Sequence, residues 1–228
     1  MNGFIKKISL LAFLTLSSGD AASTISSRAG QYSVDGMKVF VVKQDEMTFG
    51  VSEDVPKNSD FFVNANFFDD NGPIGLLVVD GERKSRSVRG GGFFYVKGRK
   101  VFINGSGAPR KIRHGAQTLL LAIEDGEVNK DLMLARHGRE RTYRTLLGQT
   151  ESGDIIFVAP GRTSFVTIPD IVDIAVVFNV KNAILLDAGS SVDYRFESTR
   201  FKSVPHFMKD FMEIEEPKSY IYGNFNVD

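Results

Sequence analysis

The stretch Asn182-Ala183-Ile184-Leu185-Leu186-Asp187-Ala188-Gly189-Ser190-Ser191 is apolar from Ala183 to Leu186, stops at an aspartate and turns through small, hydroxyl-bearing residues. An apolar run this short, bounded by turn residues, reads as a buried strand rather than a helix. Asp187 then emerges at the carboxyl end of the strand, where α/β sheets commonly place their ligands. Gly189 and the two serines let backbone and hydroxyls approach a ligand there. An Asx-type turn that merely closes the strand is the alternative reading of the same residues.

Working outward, Thr167-Ile168-Pro169-Asp170 has the marks of a helix start: a threonine cap, proline in the first turn and an acid three residues on. Ile168, Ile171, Val172, Ala175 and Phe178 follow at helical spacing, and Asn179 can end the helix in a left-handed conformation. With a strand at 155–159 ahead of it, the order strand 155–159, helix 168–178, strand 183–187 predicts a β-α-β crossover with parallel strands. Elsewhere the pattern is of short strands at 37–42, 48–51, 61–68, 74–79, 93–96, 101–103, 117–123 and 220–225. Hairpin signals such as Asp80-Gly81 and Ser152-Gly153-Asp154 separate some of them. Residues 127–141 read as a short helix or a long loop, and 207–212 as a short helix. The expected fold is a single α+β domain of mainly antiparallel or mixed sheet with one β-α-β crossover.

The 228 residues suffice for a sizeable core. Formal net charge is zero, so no global field draws in nucleic acid or an anionic membrane, and no aromatic-basic platform for nucleic acid is visible. The chain has no cysteine, which excludes disulfides, thiolate nucleophiles and cysteine zinc sites. His114, His137 and His206 are scattered without metal-ligand spacing. No cofactor requirement is evident, and a Ca²⁺ or Mg²⁺ site built from oxygen ligands stays open.

Lys6 and Lys7 precede an apolar run from Ile8 to Leu16, and small residues follow to Ala22. A basic start, a short apolar core and a small-residue exit make a secretory signal peptide of residues 1–22, too short to span a membrane. The mature chain, 23–228, is expected to be secreted or periplasmic and to carry no membrane span.

Four further segments, in order, resemble one known family. Asn64-Ala65-Asn66-Phe67-Phe68 is similar to the N-G-G-F-F motif of the phosphodiester glycosidases, the family of the uncovering enzyme. Residues 117–126 resemble its Q-x-x-P-x-L-v-x-x-G strand without the proline. Arg144-Thr145-x-x-Gly148 resembles R-T-A-I-G, and Thr167-x-x-Asp170-Ile171 resembles T-L-x-E-L. The spacing then carries Leu186-Asp187-Ala188-Gly189-Ser190-Ser191 onto L-D-G-G-G-S. The departures are Asn66 for Gly, Asp170 for Glu, Phe165 where a small residue is expected, and Ala188 and Ser190 for two glycines. Alanine adopts left-handed geometry poorly, so a differently shaped turn and substrate are in question.

The resemblance implies an exported hydrolase that cleaves the glycosidic bond of a sugar-1-phosphodiester, its partner a sugar phosphate or a cell-envelope or extracellular polysaccharide. The alternative is a non-catalytic module of the same fold that binds glycan or wall polymer. Such a bond needs a carboxylate beside an oxocarbenium-like carbon and a cation for the departing phosphate. Asp187 is the first candidate for the carboxylate. Asp170 is the second, as a paired acid/base or simply a helix cap. Arg144 offers a planar fork to phosphate, or a surface ion pair. Asn64, Asn66, Gln117 and Thr145 are candidate substrate contacts, the amides being equally readable as ordinary buried groups with internal partners. Gly189, Ser190 and Ser191 complete the candidate site through backbone N–H groups and hydroxyls. No base stands near either serine, so no serine nucleophile is expected.

Overall fold

The computed structural model describes residues 30–204 and 216–226. The leader expected at 1–22 and the helix expected at 207–212 lie outside the described residues. Three large sheets and a two-stranded ribbon, Phe68–Asp69 with Gly72–Pro73, carry the described residues. A seven-stranded sheet runs Gly30–Val34, Met37–Val42, Ile155–Ala159, Leu146–Thr150, Val180–Leu185, Leu120–Glu124 and Glu127–Val128 in spatial order. A five-stranded sheet runs Lys100–Asn104, Gly92–Lys97, His114–Thr118, Leu77–Val79 and Glu82–Ser85. Another has the order Thr199–Lys202, Asp193–Phe196, Phe61–Asn64, Tyr220–Phe225 and Met47–Ser52.

Alternation along the strands decides how the sheets stack, because successive side chains point to opposite faces. Phe40, Leu147, Phe157 and Ile184 leave one face of the seven-stranded sheet for the main core. There they meet Phe49, Phe61, Val63 and Ile221 from one five-stranded sheet and Leu77, Phe94 and Ala116 from the other. Val39, Val41, Leu146, Ile156, Val158 and Leu185 leave the opposite face and are covered by Ile168, Ile171, Val172, Ala175 and Phe178. The stripe read from the sequence is therefore the buried face of helix Ile168–Val177. Its start is a full capping box: the Thr167 hydroxyl accepts from Asp170 N–H, and Asp170 Oδ2 accepts from Thr167 N–H at 2.9 Å.

The fold is β-rich, and the expected α+β class with its β-α-β crossover is overturned. Every strand pairing among the described residues is antiparallel. The described α-helices are Lys130–Leu134 and Ile168–Val177. Strands Ile155–Ala159 and Val180–Leu185 do flank the longer helix, but Leu146–Thr150 is inserted between them and pairs antiparallel with both. Sequence order shows which strands flank a helix and is silent on a third strand that enters from earlier in the chain. The apolar run 117–123, read as one strand, is likewise divided. Its beginning ends the strand His114–Thr118 in a five-stranded sheet, and its remainder forms Leu120–Glu124 in the seven-stranded one.

Candidate active site

Asp187 sits where the chain passes from one sheet to another. Strand Val180–Leu185 ends, and Leu186 N–H still donates to Thr145 O at 3.1 Å. Asp187 N–H then donates across to Ala65 O at 3.1 Å, and Asp187 O accepts from Asn64 Nδ2 at 3.2 Å. Both backbone polar groups of Asp187 are thus held by residues 64–65, at the end of strand Phe61–Asn64. The side chain is 7% exposed. Its Oδ1 accepts from Ala188 N–H at 2.9 Å, and Oδ2 is buried without a hydrogen-bond partner. Burial pushes the carboxyl up to about 6, against a smaller lowering by the Ser191 hydroxyl and the Ala188 N–H.

The turn after Asp187 answers the question raised by its missing glycines. Ala188 has φ −127° and ψ 177°, an extended conformation open to any residue. The position that needs the left-handed region is Gly189, at φ +72°, and there the glycine is present. Gly189 N–H donates to Tyr143 O at 2.8 Å, and Gly189–Ser191 form a single 3₁₀ turn. Ser190 is exposed and Ser191 half-buried, so the turn reaches solvent through its hydroxyls.

Asn64 reaches Asp187, but at its backbone carbonyl, and the Arg144 side chain does not join them. Asn64 is fully buried, and its Oδ1 accepts from Asp193 N–H at 3.0 Å. Residues 143–145 run beside 186–189 through the Thr145 and Tyr143 carbonyls. The Arg144 guanidinium turns to the adjoining loops instead. Nε donates to Val166 O at 3.2 Å, and Nη2 to His137 O and Glu140 O at 2.9 and 3.0 Å. Burial works against its charge, while Glu140 favours it. No ion pair joins it to Asp187 among the described residues. Thr145 is fully buried and its hydroxyl lacks a partner.

Three candidates have their polar groups engaged within the protein. Gln117 is fully buried; its Oε1 accepts from Leu76 N–H and Val88 N–H, and its Nε2 donates to Val88 O and Gly90 O. One amide thus fastens the basic 82–92 loop. Asn66 donates to Ile74 O, Leu76 O and Gln117 O and exchanges bonds with Ser219. A glycine there, as the motif has it, would leave those carbonyls without that donor. Asp170 closes the helix cap and lies 3.6 Å from Arg141 Nη1.

The structure adds residues the sequence did not single out. Tyr143, whose carbonyl holds Gly189, stacks on Phe165 with ring centroids 4.3 Å apart and meets Phe201 edge-on at 5.1 Å. Phe165 is 47% exposed and leaves an apolar shelf over the Tyr143 ring. Its one sequence signal was the departure from a small residue. Asp193 is buried beside Arg200, in register with the Asn64 row. No alternation pattern distinguishes such an acid from a solvent-facing one. Among the described residues no group of three or more His, Asp or Glu side chains is placed to hold a metal ion.

The phosphodiester glycosidase family model matches residues 57–209, two thirds of the chain. The chain belongs to the phosphodiester glycosidase family. The match spans Asn64, Gln117, Arg144, Asp170 and Asp187, so the resemblance drawn from the motifs holds. As a fold, this family member is similar to a protein from Synechocystis, with a TM-score of 0.65 at 10% identity over 86% of this chain and 61% of that one. It thus spans less than two thirds of that protein. It is also similar to the zebrafish N-acetylglucosamine-1-phosphodiester alpha-N-acetylglucosaminidase catalytic domain auto-inhibited by pro-peptide, at TM-score 0.64, 13% identity, and 86% and 81% coverage. A candidate exported protein from Burkholderia pseudomallei follows at 0.52, 9% identity, and 82% and 73% coverage. No curated protein matches the chain in sequence. No helix among the described residues is long and apolar enough to cross a membrane.

Proposed function

We propose that this family member is an exported hydrolase that cleaves the bond between the sugar carbon and the phosphate oxygen of a sugar-1-phosphodiester, with Asp187 as the reacting carboxyl. The observation that carries the proposal is the Asp187 side chain itself. It is held rigidly from both backbone sides, with one oxygen bonded to Ala188 N–H and the other without a partner. A carboxyl raised to about 6 by burial is ionised at neutral pH and keeps affinity for a proton. Ionised, it stabilises positive charge developing at the sugar carbon or takes a proton from the attacking water. The carbon–oxygen bond breaks, water supplies the new hydroxyl, and the phosphate departs as a monoester that needs little protonation. The Phe165 shelf fits the apolar face of a sugar ring, and the Ser190 and Ser191 hydroxyls fit its polar groups. Export is supported by the leader at the N-terminus and by the description of the Burkholderia neighbour.

A second reading, glycan binding without turnover, is favoured by the engagement of Asn64, Asn66, Gln117 and most of Arg144 with protein groups. The test is a panel of sugar-1-phosphodiesters incubated with the parent and with Asp187→Asn, scored by release of reducing sugar and phosphomonoester. Turnover in the parent, lost in the variant with binding kept, supports the hydrolase. Glycan binding with no turnover anywhere in the panel replaces it with the second reading.

A further inference from the structure

Ten of the 28 basic residues, and one of the 28 acidic residues, fall between positions 82 and 113. In a chain of zero net charge this makes one region strongly positive. Three strands within that segment, Glu82–Ser85, Gly92–Lys97 and Lys100–Asn104, belong to one sheet. Beside it lies a concavity of about 490 Å³ lined by Lys97, Arg110, Lys111 and Arg113, with Val96 and Ile112 contributing apolar surface. All four cationic residues are exposed. Arg113 is held by Asp80 through Nε and Nη2 at 3.2 and 3.1 Å. Lys97, Arg110 and Lys111 take part in none of the ion pairs formed among the described residues. Lys97 also stands directly across the hairpin from Lys100. Like charges in that position repel and weaken the pairing, and a surface arranged only for solubility intersperses the signs.

We propose that this concavity binds the phosphate groups of an anionic glycan, at a site distinct from the Asp187 turn. Arg110 supplies a planar fork for phosphate oxygens and the lysines supply point charges, with Arg113, held by Asp80, at the edge. The volume lies in the range of about 300–1,000 Å³ usual for small-ligand sites, enough for one phosphorylated sugar unit of a longer chain. No aromatic side chain lines it, so it lacks the stacking platform that single-stranded nucleic acid uses. The positive charge of the site stands on the structure alone. The choice of a phosphodiester-linked glycan as its occupant rests on the proposed function. A polymer held here and presented to Asp187 gains effective concentration without new contacts at the reacting bond.

The experiment is titration calorimetry of the full chain with a soluble phosphodiester-linked oligomannan, with dextran and a DNA duplex as comparisons. The expected result is binding of the phosphorylated glycan and not of dextran, weakened at least tenfold in Lys97→Glu/Arg110→Glu/Lys111→Glu. Lys57→Glu/Lys130→Glu, outside the concavity, leaves it unchanged. The milder Lys97→Gln/Arg110→Gln/Lys111→Gln, with an unaltered melting temperature, shows an intermediate loss and separates charge from misfolding. Equal affinity in the parent and both triple variants, or tighter binding to DNA than to glycan, overturns the site. Turnover of a small monomeric sugar-1-phosphodiester stays at the parent level in the triple variants. A parent without turnover whose glycan binding still responds to these substitutions sinks the hydrolase and leaves the site.

Discussion

The Asn64 side-chain amide bridges two backbone points 6 residues apart in sequence, donating to Asp187 O at 3.2 Å and accepting from Asp193 N–H at 3.0 Å. One buried side chain therefore fixes both ends of the turn that carries the candidate carboxyl and its serines. Removing it leaves a buried N–H and a buried carbonyl short of partners, each worth about 1–3 kcal/mol. Asn64→Ala is expected to lose ~2–4 kcal/mol in urea unfolding. On the proposed hydrolysis it is expected to lower kcat more than it raises KM, since the loosened group is the reacting one. A variant with parental stability would show that the amide does not hold the turn.

The buried Asp187 carboxyl leads to a pH prediction. Its value is about 6 in the folded chain against an ordinary 3.8. The fold therefore binds more protons than the unfolded chain between those values, and stability falls as pH rises through that window. The penalty is absent below about pH 4 and fully present above about pH 6, and amounts to ~3 kcal/mol at most. Asp187→Asn is expected to raise the melting temperature at pH 7.5 and to leave it almost unchanged at pH 4. Activity runs the other way: kcat/KM of the parent should fall on the acid side with a midpoint near 6. A rate that is flat from pH 5 to 8 would remove Asp187 as the titrating group.

Asp170 separates structural from chemical carboxylates. It accepts from Thr167 N–H at 2.9 Å and completes the cap of helix Ile168–Val177. Asp170→Ala is expected to cost about 0.5–2 kcal/mol and to leave kcat within twofold of the parent. A hundredfold fall in kcat with unchanged stability would instead make it the paired acid/base.

Phe165 should matter for affinity. Half of its ring is exposed, and its packing partner is Tyr143. Phe165→Ala removes a ring stack worth about 0.5–1.5 kcal/mol, so the protein should stay folded with its melting temperature lowered by about 1–6 °C. On the proposed substrates KM should rise several-fold with kcat unchanged. An unaltered KM across the sugar panel would mean that the shelf does not touch the ring.

The sequence was legible where the signal is local. The Thr167–Asp170 cap, the apolar stripe of its helix and the Asp80-Gly81 turn depend on residues within a few positions of each other, and each is present. Asp187 at a strand end was legible for the same reason. The motif order from Asn64 to Ser191 was enough to indicate the family. The strand order was not. Leu146–Thr150 lies between the two strands that flank the helix because Leu146 and Leu147 face the two cores on either side of the sheet. Nothing near residue 146 announces which neighbours it takes.

The same division runs through the site. An asparagine, a glutamine and an arginine in a motif look the same from the sequence whether they hold a ligand or hold the backbone. Only the packed chain directs Asn64 onto the turn, Gln117 onto the 88–90 loop and Arg144 onto three carbonyls. Residue types and their spacing by themselves determined the family, the helix and the position of the carboxylate. Tertiary structure decided the sheet order, the raised affinity of Asp187 for its proton and the meeting of Tyr143 with Phe165. Those properties depend on which distant groups exclude water from one another, and water exclusion is a property of the assembled cores.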